Sequence, residues 1–504
     1  MKKFLALGLA VLFVLSFAAS AFAIHAEIPS ETQAVVAAKD IQITLGGEIR
    51  FRGWYESNIG SVVTDTKYSP VTDSTVLGLL GADKIAIDFN EDGVISPDEI
   101  IIPNPEFDIA SLGLLTGVST TNRLPTSAES SAWYDTRVRL SMDAKVSPNV
   151  EGFVMLETGS GQNDVYTWGN FNSKPSDMNI LESWIMYTGS GLLGFPSGIK
   201  VGHMPLALGQ GEFFDHTKFG DDAIVFFMDP TKQIHIALLT VKFAGDGGES
   251  FVPAFDLPAT GSKYVNGDDL DGYVGVMTYK IDDKNTVGVN YTYLNQSDLG
   301  LSHQNLGATA DGNIAGIGYS ASGDIQFGSL DAASADFKGY ALQLGLSYNI
   351  NPVNVRAKFA MGSGPSSSDD IKNFVTYLGA DQHYTLVYEY QVMAASGRQN
   401  SGLDNTTYYN LGVDYNATKD LGLSLDGYLL RATKEMGHDI SKSAGWEVDA
   451  RAKYSIAKNL TYQVDAGYFN AGGMYDDILN NVTNGDITSA KNVTVLRHSL
   501  TLSF

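Results

Sequence analysis

Leu496-Arg-His-Ser-Leu-Thr-Leu-Ser-Phe504 closes the chain with a period of two. Leu496, Leu500, Leu502 and Phe504 fall on one face, and Arg497, Ser499, Thr501 and Ser503 on the other, which is the pattern of a β-strand ending at a membrane interface. The alternation recurs upstream in segments of roughly ten residues separated by turn residues. Ile41, Ile43, Leu45, Ile49, Phe51 and Tyr55 oppose Gln42, Thr44, Glu48, Arg50, Arg52 and Glu56. Val138, Leu140, Met142 and Val146 oppose Asp135, Arg137, Arg139, Asp143 and Lys145, and 340–350 and 460–468 repeat the scheme. Strands of a soluble sandwich average about five or six residues, so these are too long and too many for one.

At the other end, Lys2 and Lys3 precede an apolar stretch from Phe4 to Phe17, with Ala21-Phe-Ala23 as small residues for a peptidase. Residues 1–23 therefore read as a secretory signal, too short for a spanning helix of about 20 apolar residues. No other apolar run approaches that length, which excludes helical spans and leaves a large globular or barrel protein. The chain has no cysteine and a formal charge of −24, two units more negative once the leader lysines are removed. Such acidity argues against nucleic acid as a partner and favours cations.

Connections alternate in length. Short turns occur at 147–149, 229–232, 282–285, 351–354, 418–420 and 457–459, and long Gly/Ser/Asp-rich connections at 58–130, 159–178, 209–222, 245–269, 297–336, 363–405, 434–444 and 473–491. That partition gives sixteen antiparallel strands, or eighteen if Tyr384-Thr-Leu-Val-Tyr-Glu-Tyr-Gln-Val392 adds a hairpin inside 363–405. Either number leaves an aqueous channel. Leader, strand number, loop asymmetry and terminal Phe504 together resemble a general bacterial porin over residues 41–504, with 24–40 as a short periplasmic arm. A narrower similarity lies in Ile199-Lys-Val-Gly-His-Met-Pro-Leu-Ala-Leu-Gly-Gln-Gly211, which resembles a strand-and-loop motif of alginate-export-type porins, with His203 where those relatives carry Arg. The resemblance implies an all-β transmembrane antiparallel barrel in the outer membrane of a Gram-negative bacterium, with contacts to lipid and lipopolysaccharide and a homotrimeric assembly.

Once the outward set is fixed, the lumen set follows. Arg50 and Arg52, Arg137 and Arg139, and Arg497 belong to the first, second and last strands, which must be neighbours if the barrel closes; Arg451 and Lys453 extend the group. Guanidinium groups stay charged and are weakly hydrated, so an arginine wall draws anions through a confined pore. Alternatively, Glu48, Glu56, Asp135, Asp143, Glu157, Glu447 and Asp449 neutralise it into a supporting charge ladder. The connection 209–222 stands where general porins fold a loop inward, and its Glu212 and Asp215, with Asp221 and Asp222, would face the arginines across a constriction; otherwise it is a solvated external loop.

Within 58–130, Asp88-Phe-Asn-Glu-Asp-Gly-Val-Ile-Ser-Pro-Asp-Glu99 matches an EF-hand calcium loop. Asp88, Asn90, Asp92, the Val94 carbonyl, Ser96 and a bidentate Glu99 occupy the ligand positions, and Gly93 makes the turn. Pro97 and Ile100-Ile-Ile-Pro103 keep any exiting helix short, so a single structural calcium loop is expected. The eight histidines show no metal-protease spacing, and a non-enzymatic channel for passive diffusion of small hydrophilic solutes, anionic ones included, is the expectation. Two other roles fit the same pattern: a barrel sheathing an electron-carrier protein, and an export channel for an acidic polysaccharide.

Overall fold

The computed structural model describes residues 34–38, 41–65, 85–86, 100–101, 119–128, 130–158, 165–169, 178–190, 194–244, 270–297, 300–331, 334–366, 370–379, 382–437, 439–483 and 485–504. The leader at 1–23 and the calcium-type loop at 88–99 lie outside them.

Among the described residues, eighteen strands form the wall. They are β1 (Ile41–Ser57), β2 (Ser131–Ser147), β3 (Val150–Thr158), β4 (Met178–Gly189), β5 (Ser197–Met204), β6 (Asp221–Met228), β7 (Ile234–Ala244), β8 (Leu270–Lys280), β9 (Thr286–Gln296), β10 (Leu301–Ile314), β11 (Ile317–Leu330), β12 (Tyr340–Ile350), β13 (Val353–Gly362), β14 (Thr406–Asn416), β15 (Leu421–Ala432), β16 (Ser443–Ala457), β17 (Leu460–Ala471) and β18 (Val493–Ser503). Each pairs antiparallel with the next, and β18 returns to β1 with Glu48 opposite Ser503 and Ser57 opposite Thr494, so no edge is left open. No described helix is long and apolar enough to cross a membrane.

The strand number differs from sixteen, and the additional pair lies elsewhere than 384–392. It is the hairpin β10–β11, inside a stretch read as a loop. Several of its outward positions are Ala308, Ala310, Ala321 and Gly323, so the apolar face carries little side chain. Ala315 and Gly316 turn the hairpin at φ 54° and 90°, and the Asn313 side chain accepts the Gly316 N–H at 2.9 Å.

Side chains alternate about the wall. Ile185, Leu238, Leu346, Leu411 and Leu429 are exposed outward, where lipid replaces water as the neighbour. Tyr187, Tyr279, Tyr348, Tyr415 and Tyr454 ring the end nearer the short turns, and Tyr273, Tyr340, Tyr409, Trp446 and Tyr468 the end nearer the loops, as two interfacial girdles. Short turns carry their own caps: Asp282 accepts the N–H groups of Lys284 and Asn285 at 2.8 and 2.9 Å, and Thr418 those of Asp420 and Leu421 at 3.1 and 3.0 Å. In the arm, Ala34–Ala38 is a strand paired with the start of β1. From the long connection 58–130, Ile59–Asp65 pairs with Ser119–Pro125, and Ile85–Ala86 with Ile100–Ile101.

Candidate functional site: the closure seam and the constriction

The five arginines come together on one inner wall. Arg52 Nε meets Asp135 at 2.9 Å, Arg137 meets Glu48 at 2.6 Å, and Arg139 pairs with Glu157. Arg50 stands opposite Arg137 in register and in electrostatic contact with Glu48. Arg497 meets Asp465 at 3.0 Å, and Arg451 takes the other oxygen of the same carboxylate at 2.5 Å. Trp54 joins the two ends of this ladder: Arg52 and Arg497 lie 5.2 and 5.1 Å from its ring centroid, and its indole N–H donates to Asp135 at 2.9 Å. The wall is thus charge-compensated along the seam. Asp465 is the acid that reading the sequence missed, because a lone inward Asp on β17 gives no sign of which arginines its neighbours bring.

The connection between β5 and β6 lies inside the barrel. Leu206, Leu208, Phe213 and Phe214 are buried, and Leu208 and His216 close a small hairpin through N–H bonds to Phe214 and Leu206 at 3.0 and 2.8 Å. Gly211, at φ 81°, takes the left-handed conformation at its tip. Glu212 is carried to the wall nearly opposite the arginines in the strand ring, where Ser322 Oγ on β11 donates to it at 3.1 Å and Gln343 Nε2 on β12 donates as well. Tyr408 Oη in turn donates to the Gln343 carbonyl at 3.1 Å. Burial, with the Asp324 carboxylate nearby, pushes the Glu212 carboxyl up to about 7. Asp215 accepts from Thr217 Oγ1 at 2.6 Å. Asp221 and Asp222 stand apart from the constriction, paired with His216 and His203 at 2.9 Å each.

The second inward element is the connection between β13 and β14. Its segment 384–392 follows strand-like alternation, yet Leu386, Val387, Tyr388 and Val392, with Met393, Ala394 and Ala395 after them, are all buried within the lumen. The backbone makes a helical turn rather than a hairpin: Gln391 N–H bonds the Val387 carbonyl at 2.8 Å, and Thr385 Oγ1 accepts the Glu389 N–H at 2.9 Å. Inward carboxylates of β16 hold its first N–H groups. Glu447 accepts from Val387 and Tyr388 at 2.6 and 2.8 Å, and Asp449 from Leu386 at 3.0 Å. Helix α1 (Gly473–Val482) covers the turn, with Tyr475 Oη donating to the Met393 carbonyl at 2.6 Å. His383 pairs with the fully buried Glu389. Burial works against the imidazolium, but the Glu389 carboxylate, with Asp215 and Glu212 beyond it, outweighs burial and raises the His383 pKa. An aromatic, apolar run within a polar connection is the signal that could have found this element, because such a run must bury somewhere.

The two loops meet where Phe214–Asp215 pairs in parallel with Tyr377–Leu378. Between them and the wall lies a cavity of about 150 Å³, lined by Glu212, Asp215, Gln343, Lys358, His383 and Tyr408. Lys358 is its inward ammonium, from β13.

The expected calcium ligands Asp88, Asn90, Asp92, Val94, Ser96 and Glu99 lie outside the described residues; the chain enters and leaves their segment as the antiparallel pair Ile85–Ala86 with Ile100–Ile101. Among the described residues no group of three His, Cys, Asp or Glu side chains is placed to hold a metal ion.

No family model matches the chain, and no curated protein matches it by sequence. Solved structures do match. Pseudomonas aeruginosa OpdL superposes with a TM-score of 0.52 at 8% identity, over 91% of this chain and 98% of that one. Pseudomonas aeruginosa OccK5 (OpdH) does so with 0.50 at 11%, and Pseudomonas aeruginosa OpdK, solved with vanillate, with 0.50 at 8%, each again over 91% and 98%. At these identities the likeness is one of fold. With its edgeless antiparallel sheet, apolar outer belt and aromatic girdles, the chain is a porin-like eighteen-stranded β-barrel of the outer membrane.

Proposed function

We propose that this barrel is a porin for passive diffusion of small hydrophilic solutes, anionic ones included. The observation that carries the proposal is the cavity of about 150 Å³ between two inward loops and a polar inner wall: a narrowed aqueous path. The inward loops favour diffusion over the sheath role, which needs a lumen wide enough for a partner protein. The carboxylates paired along the seam weaken the case for polysaccharide export, which needs a continuous basic wall. Anion preference rests on Lys358 at the constriction, set against Glu212 and Asp215, with Arg50, Arg52, Arg137, Arg139 and Arg497 adding only what their carboxylate partners leave uncancelled. Catalysis has no part in this function.

Purified protein in a planar bilayer, under a potassium chloride gradient, tests it: stable ohmic steps are expected, and silent insertion overturns it. We further propose one structural calcium at 88–99, on the ligand spacing of that loop. Isothermal calorimetry should show calcium heat that Asp88→Ala abolishes; heat unaffected by the substitution defeats the proposal. The excess of acidic residues in the same connection supports a calcium-bridged contact with lipopolysaccharide, and the porin resemblance supports a homotrimer, which light scattering of the detergent-extracted protein distinguishes from a monomer.

A further inference from the structure

We infer that Glu212 sets the ion selectivity of the channel and makes it pH-dependent, an inference that rests on the porin function proposed above. The geometry singles out this carboxylate. It sits at the tip of the inward hairpin, at the junction of the two loops, nine-tenths buried and lining the cavity. Its side-chain donors, Ser322 Oγ and Gln343 Nε2, are neutral. Among the described residues no Lys, Arg or His nitrogen makes an ion pair with it, whereas Arg52, Arg137, Arg139 and Arg497 each have a carboxylate in contact.

A neutral donor can hold either form of a carboxyl group, because the protonated acid keeps a carbonyl oxygen to accept with. An ion pair cannot, since losing the negative charge strands its cation. The seam acids are therefore committed to one charge, and Glu212 is free to exchange a proton without dismantling its surroundings.

Among the described residues, the titratable groups that face Glu212 come from several elements, the Tyr384 phenol of the second loop among them. From its own loop comes Asp215; from β11 Asp324, held by the Asn305 amide at 2.8 Å; and from β10 Asp311, held by Gln210 at 3.0 Å. From β13 comes Lys358, with Arg356 behind it occupied by Asp414 and Asp426 at 2.8 and 3.0 Å; from the second loop His383, occupied by Glu389; and from β14 the Tyr408 phenol. Asp324 disfavours a second negative charge and Lys358 favours it; burial sides with Asp324, which places the exchange near neutrality. Above that pH the constriction gains a negative charge that attracts cations; below it, the Lys358 ammonium at the cavity faces a neutral acid and anions gain.

The test is the reversal potential of single channels in a potassium chloride gradient between about pH 5.5 and about pH 8.5, a range that brackets the shifted carboxyl. For the wild type, the potassium-to-chloride permeability ratio should rise roughly tenfold with pH, because one unit charge about 6 Å from the ion in a water-like medium favours the cation and disfavours the anion by a Boltzmann factor of roughly three each. Glu212→Gln should lose most of that rise and keep only the smaller response of the amide-held Asp324 behind it. Asp324→Asn leaves Glu212 in place and should move the midpoint to lower pH, so a second readout remains if the glutamine variant fails to fold. A wild-type ratio that does not change with pH overturns the inference while leaving a conducting porin intact. A full pH response in Glu212→Gln overturns it as well, and its loss in His383→Gln alone would assign the response to the imidazole. Silent insertion overturns the porin function and this inference together.

Discussion

The closure seam and the constriction stand across the lumen from each other and are both built of charged side chains, yet they handle charge by opposite rules. At the seam, Arg497 and Arg451 share Asp465, and Arg52 shares Asp135 with the indole of Trp54. Each cation there has a negative partner in a fixed geometry. At the constriction, Glu212 leans on neutral donors and Lys358 faces it across the cavity without an ion pair between them. A compensated ladder is structural: it holds strands in register where the barrel closes. An uncompensated pair of opposite charges on either side of a narrow path leaves a field for solutes to feel.

The seam depends most on Asp465, which holds Arg451 and Arg497 together. Its side chain is 5% exposed and that of Arg497 11%. Asp465→Ala strands a nearly buried guanidinium, and a loss of about 3 kcal/mol in folding free energy is expected. Urea titration of the barrel in liposomes, read by its heat-modifiable gel mobility, measures the loss. A cost below about 1 kcal/mol, the range of exposed pairs, would mean that lumen water solvates Arg497 well enough for the seam to be no different from a surface.

A smaller effect is expected where the second loop docks on the wall. Glu447→Gln keeps one acceptor for the N–H groups of Val387 and Tyr388 but replaces the second oxygen with an amide nitrogen, which cannot accept. Leaving one of these buried N–H groups without an acceptor should cost about 2 kcal/mol of docking. If the loop opens independently of the barrel, trypsin should cut after Arg398 roughly thirtyfold faster in the variant. Equal cleavage rates would show that packing of Tyr388 and Met393 under α1 holds the loop without Glu447.

These two sites also mark how far the sequence could be read. The alternation at 41–56 and 134–146 identified the outward and inward faces, because a barrel wall touches lipid on one side and water on the other. It named Arg50, Arg52, Arg137, Arg139 and Arg497 as lumen residues and, from closure alone, as neighbours. It failed at 301–330, where small outward side chains hide a lipid face, and at 384–392, where the two-residue period belongs to a helical turn. In that segment Glu447 and Asp449, some sixty residues away, satisfy the N–H groups that a strand would have placed in a sheet. Local pattern reports the solvent on either side of a wall; it does not report which distant carboxylate the wall will offer to a loop.

The smallest expected effect concerns His383, where the rules of the two regions meet in one pair. Its imidazole is paired like a seam residue, with Glu389, but it lines the constriction. Because its folded-state pKa is raised, mainly by the Glu389 carboxylate working against burial, it stabilises the docked loop fully below the ordinary histidine value of about 6.5. That stabilisation is lost as pH rises through the raised value. Hydrogen exchange of residues 382–402, corrected for the intrinsic effect of pH, should therefore show less protection in alkali than in acid for the wild type. His383→Gln retains an N–H donor for Glu389 without a titrating charge, so its protection should be flat with pH. The acid-side difference between the two should be roughly fivefold, the equivalent of about 1 kcal/mol for one charge-assisted bond. A variant as pH-sensitive as the wild type would place the titration elsewhere, with Glu212 the nearest remaining carboxyl in that range. The loop and the selectivity of the pore would then answer to the same proton.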